Sequence, residues 1–138
     1  SCWAGISYRK VSGTYVLEKD EKIACYIALG YGQAQGVQHK SKDIREISNV
    51  SDLTPEWFRS GVEAALLAPT AVNQQKFRIE YIGRKGNSLP YVSIKPERSI
   101  FGYTMMDMGI ARLHFEIGAG KENFVWVEDM THHEDKNK

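Results

Sequence analysis

The apolar positions of this chain fall into two rhythms. Phe58, Val62, Ala65 and Leu66 share one helical face, while Gly61, Ala64 and Ala68 form a second stripe of small residues on which another backbone can approach closely. Thr54 before Pro55 and Glu56 predicts a hydroxyl cap with proline at the first helical position, and the helix is expected to run to about Ala68 and stop at Pro69. Met106, Ile110, Leu113 and Ile117 predict a second helix, ended by Gly118 to Gly120. Elsewhere the rhythm is that of strands. Ile23 to Gly30 reads as a short buried strand, after which Gly30, Gly32 and Gly36 open a polar loop. Lys76 to Ile82 alternates through Phe77, Ile79 and Tyr81, and Tyr91 to Lys95 forms its hairpin partner across the turn-rich Gly83 to Pro90. A last strand is expected over Asn123 to Val127. Ser41 to Ile47 has room for one or two helical turns, and Ser48 to Asp52 reads as loop. The order strand, helix, strand, strand, helix, strand predicts an α+β domain with helices packed on a mixed sheet.

Composition narrows the class. The chain has 138 residues, 42% hydrophobic and 25% charged, with 18 basic against 17 acidic side chains. These are the proportions of one folded domain; they exclude disordered and collagen-like chains. A net charge of +1 supplies no long-range field for nucleic acid or an anionic membrane, so the expected partner is small or apolar. No run approaches the roughly 20 apolar residues that span a bilayer. Cys2 and Cys25 stand far apart without a Cys-x-x-Cys spacing, which argues against a zinc knuckle or a disulfide framework and for a reducing, cytoplasmic setting. The chain opens abruptly at Ser1-Cys2-Trp3 without an initiator Met, an opening that reads as cut from a longer chain. Its end, residues 129–138, reads as a polar flexible tail.

Most candidate chemistries find no support. Gly30-Tyr31-Gly32-Gln33-Ala34-Gln35-Gly36 follows a strand, but its third glycine falls one place late for a dinucleotide turn and no long helix opens there, so a plain glycine-bearing loop is the better reading. Of the four histidines, His132 and His133 lie in the tail, His114 sits beside the apolar stripe of the second helix, and His39 stands alone; no metal set emerges. There is no Gly-x-Ser-x-Gly elbow, and the acidic residues are scattered as on a solvated surface. The informative stretch is Ala68-Pro69-Thr70-Ala71-Val72-Asn73-Gln74-Gln75-Lys76-Phe77, where a small-residue helix ends and a compact turn presents a hydroxyl and three amides before a strand begins. Such groups can meet a polar ring edge or a phosphate without adding net charge. A helix C-cap followed by a polar loop explains them equally well.

These residues resemble a family. The segment Ala68 to Phe77 looks like the Ala-Pro-Ser/Thr-Ala-x-Asn-x-Gln turn of the flavin-dependent nitroreductases, and Ser1-Cys2-Trp3-Ala4-Gly5 like their Gly-Leu-Gly-Thr-Cys-Trp-x-Gly turn, with Ile27 to Gly32 like the strand that follows it. Gly61 to Thr70, Asp107 to Ala111 and His114 to Ala119 are similar, in that order, to the second half of the duplicated TM nitroreductases, whose two halves share one chain and imitate a dimer. The similarity runs from Ser1 to about Val127. It implies a nitroreductase-like lobe over residues 1–128, the C-terminal part of a two-half fold.

The resemblance further implies an FMN-binding oxidoreductase that draws a hydride from NADH or NADPH and passes electrons to a nitroaromatic, quinone or similar small-molecule acceptor. Trp3, Ala4 and Gly5 would then line the isoalloxazine, and Pro69, Thr70, Ala71, Asn73 and Gln74 would approach it from the other half. Such chemistry needs no catalytic side-chain acid or nucleophile, since the cofactor performs the redox step. The competing readings are a core aromatic for Trp3 and a loop amide bonded to its own backbone for Asn73. The family's basic Arg-Arg-Ser-x-Arg-type phosphate segment has no counterpart here, so the missing N-terminal half or a companion chain is expected to complete the site. The alternative function is non-catalytic: a flavin-binding or assembly lobe whose small-residue helix face serves as an interface.

Overall fold

The computed structural model describes residues 2–5, 16–23, 26–34, 36–100 and 103–127. Cys25, His132, His133 and the tail beyond Val127 lie outside the described residues. The chain divides into two compact units, Ser1–Gln38 and His39–Lys138.

In the first unit, β1 (Cys2–Gly5) pairs antiparallel with β2 (Tyr26–Leu29), Trp3 opposite Ala28 and Gly5 opposite Tyr26. The opening residues are therefore a strand rather than the turn that the family pattern implied. The expected burial of the strand at Ile23 to Gly30 is also corrected: Ala24 and Cys25 lie outside the described residues, and the Ile27 and Leu29 side chains of β2 are exposed.

The second unit carries the helices and a mixed sheet. Asp43 starts the one-turn helix α1 (Ile44–Ile47) with a reciprocal cap: its carboxylate accepts from the Arg45 N–H at 2.8 Å, and the Glu46 carboxylate accepts from the Asp43 N–H at 3.0 Å. Asn49 then imitates a strand residue beside β3 (Phe77–Gly83), donating to the Tyr81 carbonyl at 2.9 Å and accepting from the Tyr81 N–H at 2.8 Å. This closes part of an edge that would otherwise expose unpaired backbone groups. β3 pairs antiparallel with β4 (Tyr91–Pro96), with Phe77 opposite Pro96 and Ile79 opposite Ile94, and the two-residue β5 (Val125–Trp126) adds parallel to β4. The expected strand Asn123 to Val127 is thus shortened, since Lys121–Asn123 coil into a 3₁₀ turn after Gly120 takes a φ of 74° at the helix end.

Helix α2 spans Glu56–Leu66 and differs from expectation at its start. Pro55 is the capping position, and the Thr54 hydroxyl instead closes the preceding turn, accepting from the Ser51 N–H at 3.1 Å and donating to the Ser51 carbonyl at 2.7 Å. The Pro55 carbonyl still accepts from Phe58 and Arg59, so the chain enters the helix without a side-chain cap. Phe58, Val62, Ala65 and Leu66 are buried as their spacing predicts.

Helix α3 (Thr104–Ala119) forms where expected but is rotated from the expected face. Its buried stripe is Asp107, Ala111, Phe115 and Ala119; of the expected series Ile110 packs half-buried against the core, whereas Met106 is 62% and Ile117 75% exposed and Leu113 is exposed with them. The reason is contact distance. A Cβ added at Gly118 would lie 2.5 Å from the Ala64 Cβ and 2.7 Å from the Ser60 carbonyl oxygen, and one added at Gly61 would meet the Phe115 ring at 2.6 Å. The small-residue stripe of α2 is therefore filled by α3, and larger side chains on that face of α3 would hold the helices apart. Phe115 inserts beside this contact and joins Phe58, Phe124 and Trp126 at ring separations of 5.2 to 5.7 Å, which anchors the core.

Among the described residues no helix is long and apolar enough to cross a membrane.

Gly118→Ala is expected to lower unfolding stability by about 1–3 kcal/mol, because the new methyl overpacks the helix contact. Gly109→Ala, on the same helix with nothing within 4 Å of the added carbon, is expected to raise it by about 0.5–1 kcal/mol through helix propensity. Urea denaturation of both variants checks the pair; equal effects would contradict the close approach.

Candidate functional site

The sequence-predicted residues divide between the units. Trp3, Ala4 and Gly5 lie on β1 of the first unit, opposite Ala28, Ile27 and Tyr26. Pro69, Thr70, Ala71, Asn73 and Gln74 are brought together in the second unit, in the connection from α2 to β3.

That connection is a tight knot. After α2, the Leu67 and Ala68 N–H groups bond back to Ala64 and Ala65, and Thr70 turns extended before the single 3₁₀ turn Ala71–Asn73. Val72, Asn73 and Gln75 all take positive φ, of 47°, 53° and 45°. Asn tolerates that region, whereas a β-branched valine strongly disfavours it, so the local sequence alone would not hold this shape. Side chains from three other segments do so.

Gln75 is the inner pillar, only 1% exposed and fully engaged. Its Nε2 donates to the Lys40 carbonyl at 3.2 Å and to Asn73 Oδ1 at 3.0 Å, and its Oε1 accepts from the Lys42 N–H at 2.9 Å. Its backbone N–H donates to the Thr70 hydroxyl at 3.1 Å, and its carbonyl accepts from Lys42 Nζ at 2.7 Å. Asn73 Nδ2 donates to the Lys40 carbonyl at 2.8 Å. On the other side stands Asp107 of α3, 3% exposed, which accepts from the Ala71 N–H at 3.0 Å and from Gln74 Nε2 at 2.6 Å. Ser99 donates to Gln74 Oε1. A buried carboxylate is tolerated because both its oxygens are bonded.

What the turn presents outward is consequently uncharged. Pro69, Val72 and Asn73 are exposed, Thr70, Ala71 and Gln74 are half-buried, and the nearest carboxylate faces inward. Asn73 and Gln74 each retain one amide N–H beyond their internal bonds, so the donor set fits the polar edge of a planar, neutral ring such as that of a flavin. It offers no acid or base in open solution and no nucleophile. Among the described residues no three His, Cys, Asp or Glu side chains converge on a common point.

The residues that sequence reasoning missed are Asp107, Lys40, Lys42 and Ser99; Gln75, one of the three amides noted in the turn, proves to be an inward tie. Asp107 carried a signal: it stands at the head of the i, i+4 series Asp107, Ala111, Phe115, Ala119, and an acid in line with a small-residue helix face is poised to be buried. Lys40 acts through its carbonyl, for which the sequence holds no sign.

Val72→Gly is expected to raise stability by about 1 kcal/mol, since glycine adopts the left-handed backbone without the side-chain clash. Thermal or urea unfolding reads it, and a loss of stability would contradict the strained turn.

Compared with known proteins, residues 1–119 match the family described as Putative TM nitroreductase. No curated protein and no solved structure matches the chain.

Proposed function

The chain belongs to the nitroreductase family, a family of oxidoreductases, and from that premise we propose that it is the C-terminal part of an FMN-dependent enzyme carrying electrons from NADH or NADPH to a nitroaromatic, quinone or similar acceptor. The observation that carries the reading is the neutral, internally tied turn at Thr70 to Gln74, which falls within the matched residues.

Bound FMN would supply the two-electron redox chemistry, so the polypeptide's task is to bind and orient. In this reading Trp3, Ala4 and Gly5 would line the isoalloxazine of a bound FMN. Pro69, Thr70 and Ala71 would approach a flavin from the other half with main-chain and small side-chain groups, and Asn73 and Gln74 would each offer a remaining amide N–H to its polar edge. The Asp107 carboxylate, engaged by Ala71 and Gln74, faces away from a ligand at the turn.

A companion completes the site. The FMN phosphate needs a basic partner, and Lys42, close to the turn, is already bonded to the Gln75 carbonyl and 3.8 Å from Glu97. The exposed apolar stripe Met106, Leu113 and Ile117 on α3 offers a surface for that companion, either an N-terminal half or a second chain. The non-catalytic alternative expects its interface on the small-residue face of α2. That face is filled by α3, so an assembly role would have to use α3's outer stripe instead. The two widely spaced cysteines support a cytoplasmic setting.

The complete protein is expected to purify yellow, to bleach with NADH or NADPH and to recolour with a nitroaromatic or quinone. Its Tm is expected to rise with added FMN, by the equivalent of about 2.7 kcal/mol at a hundredfold excess over Kd. A folded protein that stays colourless and shows no shift with FMN would refute the proposal.

A further inference from the structure

We infer that Asp107 is a positioning residue, holding the Thr70 to Gln75 turn in the shape that meets the cofactor; the inference rests on the proposed function for its ligand, though not for the tie itself. Asp107 lies in the first turn of α3 and reaches back 36 residues to Ala71 and 33 to Gln74, on an element with no other chemical part in the turn. Its two oxygens are divided between the two kinds of group the turn must fix. Oδ1 takes the main-chain N–H that opens the 3₁₀ turn, and Oδ2 takes a side-chain amide placed among the ligand-facing groups. Charge-assisted bonds of this kind are the stronger class, and burial shields them from competing water.

The need for such a tie is visible in the backbone. Three non-glycine residues with positive φ lie within four positions, and conformations of that sort persist only where the surroundings over-determine them. Thr70, Lys40 and Lys42 secure the Gln75 side of the turn. The Ala71 side has Asp107. Without it the Ala71 N–H loses its acceptor and the Gln74 side chain keeps only Ser99, so its amide is free to swing.

The bond pattern also distinguishes geometry from charge. An amide at position 107 can still accept from Ala71 through its oxygen. Its NH₂ can donate to Gln74 if the Gln74 amide turns over, with Gln74 Nε2 then donating to the Ser99 hydroxyl. Asp107→Asn therefore preserves the tie, and Asp107→Leu, of similar size, cannot.

The test is amide hydrogen exchange on the full chain, followed by FMN titration of the complete protein. In Asp107→Leu the Ala71 amide is expected to exchange about tenfold faster or more, while the Phe115 amide in the core of α3 keeps its protection. FMN affinity is expected to fall by a similar factor, with an altered visible spectrum of the bound flavin. Asp107→Asn is expected to hold the Ala71 exchange within about threefold. Should Asp107→Leu fail to fold, Asp107→Ala, which admits water at the carboxylate's place, reads the same arms. Native protection at Ala71 in the Leu or Ala variant would overturn the tie, and a loosened turn with native FMN affinity would overturn the positioning role. If the wild-type protein binds no FMN, the proposed function fails while the exchange arm still decides whether Asp107 holds the turn.

Discussion

The contact between Gly61 and Ala64 of α2 and Gly118 of α3 sets the rest of the second unit. It brings two helices so close that not even a methyl group fits at Gly61 or Gly118, and it thereby fixes how α3 is turned about its own axis. Everything on α3 follows from that rotation. Phe115 enters the aromatic core with Phe58, Phe124 and Trp126. Met106, Leu113 and Ile117 are left outside, and Asp107 is carried to the turn between α2 and β3.

Packing and site are therefore linked by one rigid element. The turn from Thr70 to Gln75 holds a backbone its own sequence disfavours, and it is held from two directions: by Lys40 and Lys42 ahead of α1, and by Asp107 from α3. Its ties engage the Asp107 carboxylate and the Lys42 ammonium, and the side chains of the turn itself are polar but uncharged. Such a surface suits a cofactor that brings its own reactivity and asks the protein for orientation.

Much of this was legible in the residues. The hairpin was written in the alternation of Phe77, Ile79 and Tyr81, and the inward face of α2 in the spacing of Phe58, Val62 and Leu66. The outward face of α3 was misread, because large apolar residues at Met106, Leu113 and Ile117 outweigh Ala111 and Ala119 in any hydropathy pattern, whereas the close helix contact selects the small ones. Thr54 carried the composition of a cap but found nearer partners in Ser51. At the turn, residue types announced a polar site; that their amides face inward as well as outward depends on Lys40, Lys42 and Asp107, which are distant in sequence and meet them only in the fold.

The central claim is that this neutral, tied turn is the part of the second unit that meets a flavin. Its most direct measurement is the change in backbone amide resonances of the isotope-labelled complete protein on titration with FMN. The account predicts that within residues 39–127 the largest changes fall on Thr70 to Gln74, with the buried strand residues Ile79 and Val92 little moved. Saturable FMN binding whose changes bypass the turn would contradict it.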